Sequence, residues 1–232
     1  QKFSHKGNYG HALLVCGSDR MLGAGILSTS AALRSGCGLV SLHAPQSGAA
    51  AIFASCPSAV LNPDPGDSFT QVPDNLSSYS NCGIGSGLGQ SEQTVAALRQ
   101  LFHTFEKPMV IDADAINIIS YNREMIKDIP AGSILTPHSG ELRRLIGEWG
   151  SDKDKLRKAS DFAVETMSVV VVKGAYTVVC TPNSKYYINS YGSPGMAKGG
   201  SGDILTGLIT GLLARGYKSE DAAILGVYIH GK

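Results

Sequence analysis

The stretch GMAKGGSGDILTGLITGLL at residues 195–213 combines glycines, one carboxylate and the start of a helix. Glycine-rich backbone can wrap closely around a phosphate, and the unpaired N–H groups at a helix N-terminus attract anions. Asp203 stands among these glycines, where its negative charge repels a phosphate, which indicates a separate task. Removing a proton from a hydroxyl group is such a task, and general-base catalysis contributes roughly 100- to 10,000-fold in rate. The alternative is a flexible loop in which Asp203 only favours the first helical turn.

Five further glycine-bearing or polar clusters are predicted at the ends of strands. They are GSDRMLGAG after residues 11–16, GIGSGLG at 83–89, DADAIN after 109–111, TPHSGE after 133–135 and KGAYT after 169–172. In a parallel sheet, ligands bind in the crevice at the carboxyl ends of the strands. We therefore expect these five turns to line one crevice.

GIGSGLG resembles a dinucleotide-binding loop only in composition. It lacks the GxGxxG spacing, and no clear strand pattern precedes it, so we exclude a Rossmann site there. A close approach of backbone to ligand and a simple mobile loop both remain open for this segment. The chain also contains no GxxxxGK[ST] phosphate-binding loop.

The strand and helix patterns alternate along the chain, which predicts an α/β fold with a mostly parallel central sheet between helices. Strands are predicted at 11–17, 38–45 and 169–174, a hairpin around 182–184, and a strand entering a polar turn at both 108–117 and 133–147. Helices are predicted at 23–36, 91–105 and 153–167, after the turn in 133–147, and from Gly202 and Ser219. Residues 57–80, rich in Pro, Asp and Ser, are predicted to be surface loop.

The composition indicates one globular domain over residues 1–232, with 43% hydrophobic residues and a formal net charge of +1. A charge balance of this kind argues against nucleic-acid or membrane-surface binding. The five cysteines are scattered and odd in number, which is typical of free thiols in a reducing cytoplasm. Because residue 1 is Gln and the chain stops within a helical pattern, we expect this domain to come from a longer polypeptide.

Five segments in this order resemble the ADP/ATP-dependent NAD(P)H-hydrate dehydratases: NYGHALLVCGS…GAG, DADAIN, LTPHSGELRRL, VVVVKGAYTVV and GMAKGGSGDILTGLITGLLARG. The resemblance covers essentially the whole chain. It implies a ribokinase-like three-layer α/β/α sandwich. It also implies a reaction in which the terminal phosphoryl group of ADP or ATP passes to the hydroxyl of hydrated NADH or NADPH, after which phosphate leaves.

The resemblance also implies roles for particular residues. Asp203 is the expected base in contact with the substrate hydroxyl, and Ala24, Gly87 and His138 are expected to touch the hydrated cofactor. The expected nucleotide-binding residues are Lys173, Gly174, Ala175, Tyr176, Thr177 and Gly202. The expected anion hole is formed by Gly200, Ser201 and Gly202.

Several of these side chains have an ordinary structural alternative. His138 could cap or pack against the helix that follows it, and Lys173 could reach solvent from its strand end. Asp112 and Asp114 could help to hold Mg²⁺ through water or could cap the next helix. The same two alternatives apply to Glu141. We predict no metal ion bound directly by protein ligands.

Three functional hypotheses follow from the sequence. The first is the dehydratase, which in this family is commonly tetrameric and often fused to a hydrate epimerase domain. The second is a kinase for a vitamin-precursor alcohol, which would release a stable phosphorylated product. The third is a non-catalytic nucleotide-binding domain, in which Asp203 would be dispensable.

Overall fold

The central sheet of the protein has nine strands within the part that the computed structural model describes, residue 3 and residues 5–232. They are β1 (His11–Val15), β2 (Leu39–Pro45), β3 (Val60–Asp64), β4 (Asn81–Ile84), β5 (Met109–Ile111), β6 (Ile134–Leu135), β7 (Val169–Val172), β8 (Thr177–Cys180) and β9 (Tyr186–Asn189). Their order across the sheet is β3-β2-β1-β4-β5-β6-β7-β8-β9. The first seven in this order are parallel, and the β8–β9 hairpin adds two antiparallel strands at one edge.

Helices cover both faces of the sheet and make the predicted three-layer α/β/α architecture. They are α1 (Leu22–Arg34), α2 (Ala49–Ser55), α3 (Glu92–Thr104), α4 (Ala113–Tyr121), α5 (Ser139–Ile146), α6 (Asp152–Glu165), α7 (Ser201–Ala214) and α8 (Ser219–Gly231). Leu13 and Val15 of β1 pack in the cluster that contains α3 to α6. Ala12 and Leu14 pack in the opposite cluster, with α1 and α2. Strand β1 is therefore buried on both faces.

Most elements lie where the sequence pattern predicts them. Ser91 caps α3, since its side-chain oxygen accepts a hydrogen bond from the Thr94 N–H at 3.2 Å, and this confirms the predicted cap. All four residues of β7 are buried, and β8 and β9 pair as the predicted hairpin. The final two helices begin within one residue of the predicted starts.

Two predictions about the segment before residue 85 are wrong. Residues 57–80 contain the edge strand β3 and a short 3₁₀ helix at Leu76–Ser78. Pro63 argued against a strand here, because proline lacks the N–H that a central strand needs. It is tolerated in β3 because this strand lies at the edge of the sheet. Strand β4 also ends at Ile84, inside GIGSGLG, so a strand does lead into that loop. This strand is short and contains Asn81 and Gly83, which hid its pattern.

The segment after β3 is anchored by a buried carboxylate, Asp64. It accepts hydrogen bonds from the N–H groups of Gly66 and Thr70, both at 2.8 Å, and lies 3.0 Å from His43 Nε2. Burial alone would raise the pKa of Asp64, but the hydrogen bonds from Thr70, Gly66 and Gln71 together lower it. The ionised form is therefore the one that the fold stabilises.

We expect Asp64→Asn to lower the free energy of unfolding by roughly 1–3 kcal/mol, because the amide cannot accept all the hydrogen bonds that the carboxylate accepts and leaves a buried N–H donor unpaired. Because the pKa of Asp64 is lower in the folded state than in the unfolded state, its carboxylate stabilises the fold at pH values above the unfolded-state pKa. This contribution is lost as the pH falls through the folded-state pKa. The difference between wild type and variant should therefore shrink in acid. Urea unfolding at several pH values measures this, with the exposed Asp67→Asn as control. Equal stability of the two variants would contradict the anchoring role.

Helices α1 and α7 cross closely at Gly207. A β-carbon at this position would lie 1.9 Å from the carbonyl oxygen of Ser28, so only glycine allows this approach. Gly207 therefore serves helix packing, and the phosphate-cradle interpretation of the glycine-rich stretch is confined to its first part.

The five cysteines are all free thiols. Burial raises the pKa of Cys16 and of Cys180 to about 12, so both stay protonated at neutral pH and act as small core residues. In the described part of the chain, we find no helix with the length and apolar character needed to cross a membrane.

Candidate active site

The loops after β1, β4, β5, β6 and β7 lie side by side, because these five parallel strands are neighbours in the sheet. The five polar turns therefore meet at one sheet edge as predicted, but the turns after β1 and β4 contribute no residue to the cavity that opens there. A cavity of about 820 Å³ opens at the β5 to β7 side of that edge, which is large enough for a nucleotide. The expected site residues that line it are His138, Lys173, Gly174, Ala175, Thr177, Ser201, Gly202 and Asp203.

Four expected site residues lie outside the lining of this cavity. Ala24 and Gly87 lie together, since a β-carbon at Gly87 would be 2.9 Å from Ala24 Cβ. Gly200 precedes α7 in a left-handed conformation, with φ of 91°. The side chain of Tyr176 points to solvent, and the residue is 68% exposed.

Asp112 organises the centre of the site from the end of β5. Its buried carboxylate accepts hydrogen bonds from Lys173 Nζ and from Thr206 Oγ1, each at 2.8 Å. Asp112 occupies the N-cap position of α4, yet its side chain makes no capping hydrogen bond there. The capping alternative is therefore wrong for Asp112, which instead fixes the position of the Lys173 ammonium group.

Asp114 has a different role from Asp112. Its carboxylate accepts hydrogen bonds from the Gly89 N–H at 2.9 Å and from Gln90 Nε2 at 2.8 Å. It therefore ties down the loop after β4 and does not line the cavity. The same loop is packed tightly at Gly85, where a β-carbon would lie 1.9 Å from the carbonyl oxygen of Asp112. The glycines of GIGSGLG thus include one that protein packing requires.

Asp203 lies in the first turn of α7 and lines the cavity. Burial raises the pKa of its carboxyl group, and the negative charge of Asp112 adds to the rise, while the Ser86 hydroxyl and the Lys173 ammonium act in the opposite direction. A raised pKa makes the ionised carboxylate a better proton acceptor.

The N-terminus of α7 also lies close to the fixed lysine. A β-carbon at Gly202 would lie 3.4 Å from Lys173 Nζ and 3.6 Å from Asp112 Oδ2. The positive end of a helix dipole and an ammonium group therefore face the same space, which favours an anion such as phosphate. Gly202 has no side chain to occupy that space.

His138 and Glu141 form a capping box at the start of α5. His138 Nδ1 accepts hydrogen bonds from the N–H groups of Gly140 and Glu141, and Glu141 Oε2 accepts one from the His138 N–H at 2.8 Å. This confirms the capping interpretation of His138, and both residues also line the cavity. Burial raises the pKa of Glu141.

Two site residues, Thr206 and His230, are not predicted by any sequence pattern. Thr206 holds Asp112, and His230 lines the cavity with its Nε2 3.2 Å from Ser201 Oγ. Thr206 lies on the buried side of an apolar helical pattern, and His230 stands in the last turn of α8. No local signal marks either residue, because each acquires its role from packing between elements that are distant in sequence.

The architecture matches that of a known superfamily. A protein of the ribokinase-like superfamily from Enterococcus faecalis has the same architecture, with a TM-score of 0.85 and 26% identity over 100% of this chain and 80% of that chain. The family model described as NAD(P)H-hydrate dehydratase matches residues 12–232. The chain belongs to the NAD(P)H-hydrate dehydratase family.

Relatives within this family share about a third of their residues with the chain. The ADP-dependent (S)-NAD(P)H-hydrate dehydratase of Neisseria meningitidis is 37% identical, over 98% of this chain and 77% of the relative. The bifunctional NAD(P)H-hydrate repair enzyme of Moorella thermoacetica is also 37% identical, but the chain spans only 45% of its length. A structure of the Bacillus subtilis ADP/ATP-dependent NAD(P)H-hydrate dehydratase, co-crystallised with ATP and Mg²⁺, has a TM-score of 0.83 and 32% identity over 100% of this chain and 82% of that chain.

Proposed function

We propose that this protein removes water from the S form of hydrated NADH or NADPH, with ADP or ATP as the phosphoryl donor. The products are NADH or NADPH, AMP or ADP, and phosphate. The observation that carries the proposal is the position of Asp203, a carboxylate with a raised pKa, in the first turn of α7 beside the fixed ammonium group of Lys173. The site thus holds a base and an anion-binding centre together, as phosphoryl transfer to a hydroxyl requires.

In the proposed reaction, Asp203 accepts the proton of the substrate hydroxyl while the hydroxyl oxygen attacks the terminal phosphorus. A new oxygen–phosphorus bond forms as the bond to the rest of the nucleotide breaks. Lys173 and the N-terminal N–H groups of α7 stabilise the charge on the phosphoryl oxygens. The carbon–oxygen bond then breaks, its electron pair leaves with phosphate, and loss of a proton from the adjacent ring carbon restores the double bond.

The cavity side chains are also suited to a nucleotide bound with Mg²⁺. Three carboxylates, those of Asp112, Glu141 and Asp203, line the cavity, although no group of three or more metal-binding side chains within the described residues could hold an ion. Mg²⁺ in nucleotide sites is typically held by phosphates and water, with only one or two carboxylates. We propose that Asp112 and Glu141 contact such an ion through water, where it would neutralise phosphate charge. The position of Asp114 does not favour it as a ligand.

Three wider proposals concern the location, the partner domain and the assembly of the protein. The five free thiols support a cytoplasmic location. The bifunctional relatives, more than twice the length of the chain, support action together with a hydrate epimerase domain. A tetrameric assembly stays a prediction of the resemblance.

The proposal is tested by incubating the protein with hydrated NADH and hydrated NADPH, each with ADP and with ATP. We expect the dihydronicotinamide absorbance to return, with one phosphate released per cofactor restored. A stable phosphorylated hydrate would identify a kinase. No recovery with any combination, in protein shown to be folded, would contradict the proposal.

A further inference from the structure

His230 reaches the first turn of α7 from the last turn of α8. Its Nε2 lies 3.2 Å from Ser201 Oγ, and both residues are half-buried and line the cavity. Within the described residues, neither side chain makes another hydrogen bond. The His230–Ser201 hydrogen bond joins two helices at the mouth of the proposed phosphate site, next to Gly202 and Asp203.

A serine hydroxyl has one proton, so its partner determines which way that proton points. If His230 Nε2 accepts the proton of Ser201, the hydroxyl offers only lone pairs to the cavity. If Nε2–H donates instead, the hydroxyl is free to donate its proton to an anion in the cavity. The Lys173 ammonium and the N-terminal N–H groups of α7 supply positive charge here, beside the negative charges of Asp112 and Asp203. A phosphate bound at this helix end selects the second arrangement.

The charge state of His230 agrees with a neutral donor. Burial lowers the pKa of its imidazole, and the positive charge of Lys173 lowers it further, although the Ser201 backbone acts in the opposite direction. The ring is therefore neutral at physiological pH, and one of its nitrogens carries a proton.

We propose that His230 is a positioning residue, whose Nε2–H donates to Ser201 Oγ and thereby directs the Ser201 hydroxyl to the terminal phosphate of the bound nucleotide. The inference rests on the proposed function, which supplies that phosphate. In this arrangement His230 acts through Ser201.

The first test is a double-mutant cycle with His230→Ala, Ser201→Ala and the combined variant. We expect each single change to raise the nucleotide KM about tenfold, the value of one hydrogen bond to a charged group. The combined variant should also show a nucleotide KM only about tenfold above wild type, because both changes remove the same interaction. His230→Gln, whose amide can place an N–H near the position of Nε2, should have a nucleotide KM close to that of wild type. The exposed His103→Ala is the control.

A second measurement separates positioning from a merely structural role. Calorimetry compares binding of the nucleotide that supports turnover with binding of its product, ADP against AMP or ATP against ADP. We expect His230→Ala to weaken only the nucleotide that carries the transferred phosphate. Equal weakening of both nucleotides, additive effects in the cycle, or unchanged binding would each overturn the proposal. The same cycle is also run on the calorimetric Kd for ADP and ATP, which needs no turnover. If these Kd values show coupling but no hydrate is consumed, the inference stands and the proposed function fails.

Discussion

Replacement of Asp203 by asparagine is expected to lower kcat by roughly 100- to 10,000-fold, the usual contribution of a general base. Asparagine keeps the size of the side chain but cannot accept the hydroxyl proton. The KM values for nucleotide and hydrate should change little, because the cavity lining otherwise stays the same. Steady-state dehydration kinetics measure both parameters, and Asp161→Asn, at an exposed position of α6, is the matched control. An unchanged kcat in Asp203→Asn would show that Asp203 is not the general base.

The pH dependence of wild type should report the same carboxylate. Burial raises the pKa of Asp203 above its ordinary value of 3.8, and only the ionised form can accept a proton. Activity should therefore fall as the pH decreases through the raised pKa, at a higher pH than for an exposed aspartate. The Asp203→Asn variant should lack this acid limb. If the Asp203→Asn variant kept an acid limb with the wild-type midpoint, that limb would belong to the titration of another group.

Replacement of Lys173 by methionine is expected to lower kcat/KM by roughly 100- to 1,000-fold, as is typical when one preorganised donor to a developing anion is removed. The ammonium group is held 2.8 Å from Asp112 Oδ1, so its position is fixed before any phosphate binds. Methionine retains much of the apolar chain but no charge. The exposed Lys185→Met, at the tip of the β8–β9 hairpin, is the matched control.

The same variant also changes the proposed base. Lys173 lowers the pKa of Asp203, so its removal should raise that pKa and move the acid limb of kcat to higher pH. A structural defect would reduce activity without moving this limb. A shift to lower pH, or no shift together with full activity, would contradict the placement of Lys173 beside Asp203.

Most of the fold could be predicted because most elements carry their own local pattern. The apolar run of β7, the cap at Ser91 and the helix starts near Gly202 and Ser219 all act over a few residues. Strand β3 was missed because Pro63 is a loop signal by composition, and only the edge position makes it acceptable in a strand. Strand β4 was missed because Asn81 and Gly83 owe their places to α7: Asn81 Nδ2 donates to the Thr210 carbonyl, and Thr210 leaves no room for a side chain at Gly83.

The candidate site was predictable in its main parts and not in its connections. Asp203, Lys173 and His138 stand in recognisable motifs at strand ends, and the structure brings all three to one cavity. His138 is held by its local capping box, but the hydrogen bonds that position Lys173, Asp112 and Ser201 come from residues far along the chain. Thr206 is 94 residues from Asp112, and His230 is 29 residues from Ser201. Such pairs depend on how helices pack, which no local pattern encodes.

In the proposed reaction, the hydroxyl of the hydrate is phosphorylated before it leaves. The most direct measurement uses hydrate whose hydroxyl carries a heavy isotope of oxygen, followed by mass spectrometry of the released phosphate after one turnover. Since the substrate oxygen forms the new bond to phosphorus and then leaves with it, we predict one labelled oxygen in each phosphate and none in water. Label recovered in water, with unlabelled phosphate, would contradict the account.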